Sequence, residues 1–218
     1  MSGRVNRACP EATRHFTPPQ ESCRQRALAS RLCCGPVRGM EKADGILIRK
    51  TLLTDTSLIV HWCTREHGII RTAAKGARRP GSPFAGKLDL FYSAEITWSR
   101  SRRGDLHALR ESAVTHYREG IQRDYLRLLA ASYFTALIER VAEGEAPIAA
   151  LHDLLRRALD WLDAHQPTAK AVLFFEKEVA TDLGIHGEPG TSALEAIRRV
   201  SHRIPVQREK LMLRLAGA

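Results

Sequence analysis

Positively charged side chains crowd one short stretch of the sequence, HGIIRTAAKGARRPGSPFAGKL at residues 67–88. The stretch holds five cations, four glycines and two prolines, and it contains no acidic residue. The cations are Arg71, Lys75, Arg78, Arg79 and Lys87. Lysine and arginine side chains on a flexible loop can follow a phosphate backbone without reading base edges. The stretch therefore predicts a binding surface for a polyanion.

The positive charge of the whole chain is unevenly distributed. The formal net charge is +10, and residues 1–39 and 40–112 each carry +5, whereas residues 113–218 are balanced. A second basic loop contributes Arg100, Arg102 and Arg103 just before Gly104. Positive charge confined to one region of a chain favours a nucleic-acid partner over cations that are merely solvated. We therefore predict that the eight cations of the two loops form a nucleic-acid-binding surface.

Short β-strands are predicted around these loops, between Met40 and residue 113. In FYSAEITWS, Tyr92, Ala94, Ile96 and Trp98 alternate with polar residues, which is the period of a half-buried strand. Similar alternation in GILIRK, LIVHWCT, IIRTAAKG and DLHALRES brings the number of strands to about five. Five short strands in this length predict a small antiparallel β-barrel of the OB-fold class.

Helical spacing replaces the alternation after about residue 113. The first apolar stripe predicts one long helix and consists of Ile121, Tyr125, Leu128, Leu129, Tyr133, Leu137 and Val141. Further stripes run from Ile148 to Leu162 and from Val172 to Leu183, and amphipathic segments follow towards the C-terminus. The predicted fold class is therefore β + α, with the barrel at residues 40–113 followed by an all-α helical bundle at residues 114–218.

The first 39 residues differ from the rest in composition. They contain four of the five cysteines, seven arginines and no lysine, and they show no clear period. A disulfide cluster, a zinc site and a transit peptide are alternatives, but there is no CxxC pair and no apolar signal core. We expect a disordered leader at residues 1–39, with Met40 as an alternative start.

No apolar run approaches the roughly 20 residues that span a bilayer, so we expect no membrane association and a cytoplasmic location.

Signatures of catalysis are weak in this sequence. Residues 81–87 match the GxxxxGK pattern of a phosphate-binding loop, but Leu88 replaces the Ser/Thr that binds magnesium and Pro83 removes a backbone N–H. The histidines are scattered without metal-ligand spacing, and Cys63 lies in a predicted strand without an evident base. The sequence therefore predicts a binding protein with no enzymatic activity, no cofactor and no metal.

Several short runs resemble, in order, the RecO family of DNA-repair proteins. They are residues 45–49 (GILIR), 54–60 (TDTSLIV), 64–68 (TREHG), 74–79 (AKGARR), 82–86 (SPFAG) and 90–91 (LF). The resemblance implies an OB-fold and a helical domain, binding of single- and double-stranded DNA, annealing of complementary strands, and help in loading RecA onto strands coated by single-strand-binding protein. The implied partners are RecR and the acidic tail of single-strand-binding protein, with RecA engaged indirectly.

Two parts of the helical half bear on this resemblance. Many family members carry a four-cysteine zinc element after a Leu-Gly similar to Leu183-Gly184, but this chain has no cysteine there, so metal is not carried over. Near the C-terminus, Arg198, Arg199 and Arg203 accompany apolar positions at helical spacing. They are the predicted contacts for the acidic tail. The alternative is that these cations only favour the negative ends of their own helices.

Two other functions remain open from the sequence. One is an RNA-binding OB-fold protein of the translation or RNA-processing machinery. The other is a protein-docking scaffold whose basic charge is incidental.

Overall fold

A closed five-stranded barrel forms the N-terminal part of the structure. The computed structural model describes residues 39–142, 144–185, 191–201 and 203–217, so the predicted leader lies outside the described residues. The strands are β1 (Met40–Thr54), β2 (Ser57–Thr64), β3 (Gly68–Ala74), β4 (Ser93–Ser99) and β5 (Leu106–His116). Their order around the barrel is β1-β2-β3-β5-β4, and only the β3–β5 pair is parallel. The predicted small barrel is confirmed, and its last strand continues beyond residue 113.

Alternating side chains fill the inside of this barrel. The core consists of Leu47, Val60, Trp62, Ile70, Ala74, Phe84, Ala94, Ile96, Trp98 and Leu109. Trp62 is fully buried, and its indole N–H donates to Thr72 Oγ1 at 3.0 Å, which satisfies the polar atom of a large apolar side chain. Ala94, Ile96 and Trp98 of FYSAEITWS point inwards as predicted, whereas Tyr92 precedes β4 and is not part of the barrel core.

Six helices follow the barrel in the described residues. They are α1 (Glu119–Gln122), α2 (Tyr125–Val141), α3 (Ala149–Ala164), α4 (Ala169–Asp182), α5 (Ala193–Ser201) and α6 (Gln207–Ala216). The prediction of one long helix from Ile121 to Val141 is wrong. Asp124 is extended, and its carboxylate accepts from the Arg127 backbone N–H at 2.9 Å, so it caps the start of α2 and ends α1.

None of the helices in the described residues is long and apolar enough to cross a membrane.

The outer face of the barrel packs against the helices along β1 and β2. Ile46, Ile48 and Cys63 point away from the barrel interior and join the helical core. Leu47 points inwards between the two isoleucines, so both faces of β1 are buried at this level. The helical half therefore takes one side of the barrel out of solvent, and a ligand must use the remaining sides.

A buried arginine connects helix α3 to the end of the barrel through hydrogen bonds. The Arg118 guanidinium donates to Asp160 on α3 at 2.8 Å, to the Phe91 carbonyl at 2.6 Å and to Ser93 Oγ at 2.9 Å. These partners come from α3, the loop after β3 and the start of β4. Because a buried charge must be paired, Arg118 holds these three segments together.

Candidate nucleic-acid interface

The basic stretch after β3 forms a chain of turns that lies on the barrel. Phe84 is buried in the barrel core and anchors the middle of this loop. No helix follows Lys87, which continues as turn and irregular backbone to the start of β4. A phosphate-binding loop of the GxxxxGK type needs a helix at that point, so the structure does not support a nucleotide site here.

Arg78 attaches the beginning of this loop to the turn between β1 and β2. Its backbone N–H donates to the Thr56 carbonyl at 3.0 Å, and its guanidinium donates to the Asp55 carbonyl at 3.1 Å. The Gly76 N–H donates to Ser57 Oγ at 3.2 Å. Arg78 is therefore held in place by backbone carbonyls and has no acidic partner among the residues that the structure describes.

Six of the eight predicted cations make no ion pair with any residue that the structure describes. They are Lys75, Arg78, Arg79, Lys87, Arg102 and Arg103, and all are exposed. Exposed cations without acidic partners are what a phosphate backbone can engage without breaking existing contacts.

The other two predicted cations have acidic partners that the sequence did not indicate. Arg71 bonds Asp105 at 2.6 Å across the β3–β5 seam. The same bond lowers the pKa of the exposed Asp105 carboxyl. Arg100 lies 2.9 Å from Glu41 on β1 and 3.1 Å from Glu145 before α3. Arg71 and Arg100 would have to exchange these partners to bind phosphate.

The two basic loops lie at opposite ends of the parallel β3–β5 seam. Arg71 is opposite Leu106 and Ala73 is opposite Ala108, so both strands run in the same direction from the loop of Arg102 and Arg103. The other loop begins where β3 ends. From Arg71, opposite the start of β5, to Ala74 at the end of β3 there are three steps of about 3.3 Å, so the loops join the seam roughly 10 Å apart. The structure therefore places the predicted cations at both ends of one seam and not in a single cluster.

Arg110 is an exposed cation on this seam that the sequence analysis missed. It lies two residues beyond Ala108 on β5, as Lys75 lies two residues beyond Ala73 on β3, and its Nε donates to Ser99 Oγ at 2.7 Å. Glu111 follows it directly, so the local charge of the sequence is balanced. The β-bulge between Thr97 and Trp98, opposite Arg110, could not be read from the sequence pattern.

The outer face of β2 is less accessible than the β3–β5 seam. His61 Nδ1 lies 2.7 Å from Glu139 Oε1 on α2, and Arg49 reaches the same carboxylate at 3.4 Å. The Ile69 N–H at the start of β3 donates to the Gly144 carbonyl at 3.0 Å. OB-folds commonly bind ligands across strands 2 and 3. Here the helices occupy part of that face, so the β3–β5 seam and its two loops are the accessible basic surface.

Nucleophilic chemistry has no support at the lone cysteine in the described residues. Cys63 is buried between the barrel and the helices, and burial raises the pKa of its thiol to about 12. A thiol with such a pKa stays protonated at neutral pH and is a poor nucleophile.

Two of the three predicted partner-binding residues line an apolar groove between α5 and α6, and Arg199 is not among its lining residues. Arg198 and Arg203 line it together with Leu194, Ile204, Pro205, Val206, Met212 and Leu213, and its volume is about 660 Å³. Arg198 and Arg199 lie in the last turn of α5, where the helix dipole also favours cations. The groove agrees with the peptide-binding interpretation of Arg198 and Arg203, and the last turn of α5 agrees with the helix-dipole interpretation of Arg198 and Arg199.

Comparison with known proteins identifies the family of both halves. The model of the recombination protein O N-terminal domain matches residues 40–118, and that of the recombination protein O C-terminal domain matches residues 122–186. These matches are separated by three residues and take in the barrel and helices α2 to α4. The chain belongs to the RecO family. Its members are DNA-repair proteins, which agrees with the resemblance noted in the sequence.

Relatives in the RecO family are about 30% identical to this chain over the residues that align. A protein named DNA repair protein RecO from Rhodopirellula baltica is 33% identical over 139 residues, which is 64% of this chain and 52% of the relative. The proteins of that name from Syntrophus aciditrophicus and Listeria monocytogenes are each 29% identical, covering 54% and 57% of those relatives. The chain thus spans about half the length of the curated relatives it matches.

A metal analysis tests the expectation that this RecO chain carries no zinc. The sequence after Cys63 has no cysteine, and the described residues contain no group of three or more His, Cys, Asp or Glu side chains that could hold a metal ion. We expect elemental analysis of the purified protein to find no stoichiometric zinc, and a chelator to leave its melting temperature unchanged. One zinc per chain would contradict this prediction.

Proposed function

We propose that this chain is a DNA-binding recombination mediator. In this role it binds single- and double-stranded DNA, anneals complementary strands and helps to load RecA onto strands coated by single-strand-binding protein. It acts in the cytoplasm, without enzymatic activity. The supporting observation is the set of exposed cations in the two loops of the barrel that have no acidic partner among the residues that the structure describes.

Annealing follows from the kind of contact that these cations make. Where lysine and arginine side chains bind the phosphate oxygens of a strand, its base edges stay free to pair. The positive surface also reduces the repulsion between two approaching phosphate backbones. A strand held in this way meets its complement more readily than a free strand does.

The apolar groove between α5 and α6 is the proposed site for the acidic tail of single-strand-binding protein. Arg198 and Arg203 provide positive charge at its edge, and Val206 and Leu213 provide exposed apolar surface. A peptide with acidic residues and an apolar end matches both features. RecR, the other proposed partner, is assigned no surface here.

Charge reversal in this groove tests the proposed tail site. We expect Arg198→Glu, Arg199→Glu and Arg203→Glu together to weaken binding of the acidic tail peptide by about tenfold or more, because like charges now face each other. Affinity for naked DNA should stay nearly unchanged, since the groove lies on the helical half. Fluorescence anisotropy with a labelled peptide and a labelled oligonucleotide measures both. Equal losses for the two ligands would show that this part of the chain is further DNA surface.

Matched oligonucleotides separate the proposed function from its two alternatives. We expect tight binding of single-stranded DNA that weakens steeply as salt rises, and faster pairing of complementary DNA strands. Binding of RNA in clear preference to DNA would favour an RNA-processing role. No gel shift with either ligand at low salt would favour a docking scaffold.

A further inference from the structure

Two leucines are exposed at the far end of the β1–β2 hairpin. Leu52 is 66% exposed and Leu53 is 41% exposed, and every residue of β1 from Arg49 to Thr54 is exposed. The register shifts between Leu52 and Thr54, so a bulge lies at the hairpin end. Single exposed leucines are common on protein surfaces, but two in sequence at a projecting strand end form a local apolar tip.

The basic loop after β3 is attached directly to this tip. Arg78 bonds the carbonyls of Asp55 and Thr56 in the hairpin turn, and Gly76 bonds Ser57 Oγ. Ala74 at the end of β3 is paired with Leu58, so Lys75 begins the loop beside the turn. The hairpin that carries the two leucines is therefore bonded to the loop that carries Lys75, Arg78 and Arg79, and none of these cations has an acidic partner among the described residues.

We propose that Leu52 and Leu53 contact the faces of unpaired bases in a single DNA strand whose phosphates lie on Lys75, Arg78 and Arg79. This inference rests on the proposed binding of DNA and assigns the part of the site that meets the bases. Single-stranded nucleic acid combines an anionic backbone with flat apolar base faces. The cations of the loop complement the charge of the backbone, and the leucines complement the apolar base faces. Leucine side chains serve other proteins as apolar wedges between bases.

The contact has a consequence for the proposed annealing. Leucine carries no hydrogen-bonding group, so it can cover a base face without occupying the edge that pairs with the complement. Contacts of this kind tolerate any base sequence and separate neighbouring bases from one another. The hairpin end thus keeps a short run of bases unstacked and open to a second strand.

A thymidine oligonucleotide and an abasic strand of equal length test this inference. The abasic strand keeps the phosphates and lacks the bases. We expect Leu52→Ser with Leu53→Ser to weaken binding of the thymidine strand by about tenfold, which is slightly less than the effect of fully burying one leucine side chain. Binding of the abasic strand should change less than about twofold, and the salt dependence of both should stay the same because no phosphate contact is lost.

Control variants distinguish this result from a general loss of apolar surface. Leu173→Ser removes a similarly exposed leucine on α4, outside the proposed binding surfaces, and should leave both affinities unchanged. If the serine variant melts below the wild-type protein, Leu52→Ala with Leu53→Ala replaces it. Unchanged affinity for the thymidine strand, or an equal loss for both strands, overturns this inference alone. Failure of the wild-type protein to bind either strand overturns the proposed function as well.

Discussion

Replacing Lys75, Arg78 and Arg79 with glutamate is expected to abolish DNA binding while leaving the fold intact. All three side chains are exposed, and none pairs with an acidic residue among those that the structure describes. Reversing their charge puts anions against phosphates at the end of the β3–β5 seam. Gel shifts at low salt measure the loss of binding, and circular dichroism verifies the fold.

The salt dependence of binding reports how many phosphates these side chains contact. If all three do so, changing them to alanine should reduce the slope of log affinity against log salt for single strands by about 2, at ~0.7 per contact. Arg78 also bonds the Asp55 carbonyl, so Lys75→Ala with Arg79→Ala alone is the cleaner variant. It should reduce the slope by about 1.4. An unchanged slope would contradict the assignment of this loop.

A matched variant controls for the change in net charge. Arg157→Glu, Lys170→Glu and Lys177→Glu produce the same charge change on α3 and α4, away from the barrel loops. We expect only a small, salt-screened loss of DNA affinity from this control. If it removes binding as completely as the loop variant, the chain attracts DNA through overall charge alone.

Arg208→Ala is expected to destabilise the protein by about 3–5 kcal/mol, because it leaves a buried carboxylate without its cation. Glu176 on α4 is 1% exposed, and it accepts from Arg208 at 2.6 and 3.1 Å and from the Tyr133 hydroxyl at 2.6 Å. These residues join α2, α4 and α6. The hydrogen bond to Glu176 raises the pKa of Arg208, so this guanidinium stays charged. Chemical denaturation measures the loss.

Two further variants test the predicted loss of stability in Arg208→Ala. One should restore part of the stability, and the other is a control. Glu176→Gln in the Arg208→Ala background removes the unpaired charge and should recover part of the lost stability. Arg123→Ala breaks an exposed ion pair with Glu119 on α1, and should cost less than about 1 kcal/mol. Equal effects of Arg208→Ala and Arg123→Ala would show that the buried network contributes little.

Much of the fold could be predicted from the sequence, because the spacing of apolar residues reflects the local secondary structure. Period-two alternation predicted the barrel, and the stripes ending at Leu162 and Leu183 predicted α3 and α4. The first helical stripe failed for a local reason. Asp124 caps α2 in the middle of it, and the aromatic Tyr125, which fits the stripe, is 49% exposed. Spacing alone does not distinguish a continuous helix from two helices with a cap between them.

Less of the candidate site could be predicted from the sequence, because acidic residues distant in the sequence decide which cations form ion pairs. The stretch around Arg71 contains no acid, yet Asp105 reaches it from a loop 34 residues later. Arg100 likewise meets Glu41 and Glu145 only after folding. The helical cover on β2 and the position of Arg110 also depend on tertiary packing. Composition predicted a basic surface, whereas its division into paired and unpaired cations required the structure.

The pairing rate of two complementary DNA strands tests the central claim most directly. Each strand carries one member of a fluorescence donor–acceptor pair, and the protein is added at concentrations that saturate both. We predict that the wild-type protein speeds pairing above the spontaneous rate, that raised salt removes the effect, and that the Lys75→Glu, Arg78→Glu, Arg79→Glu variant lacks it. Pairing at the spontaneous rate on strands saturated with wild-type protein, or full acceleration by the variant, would contradict the account.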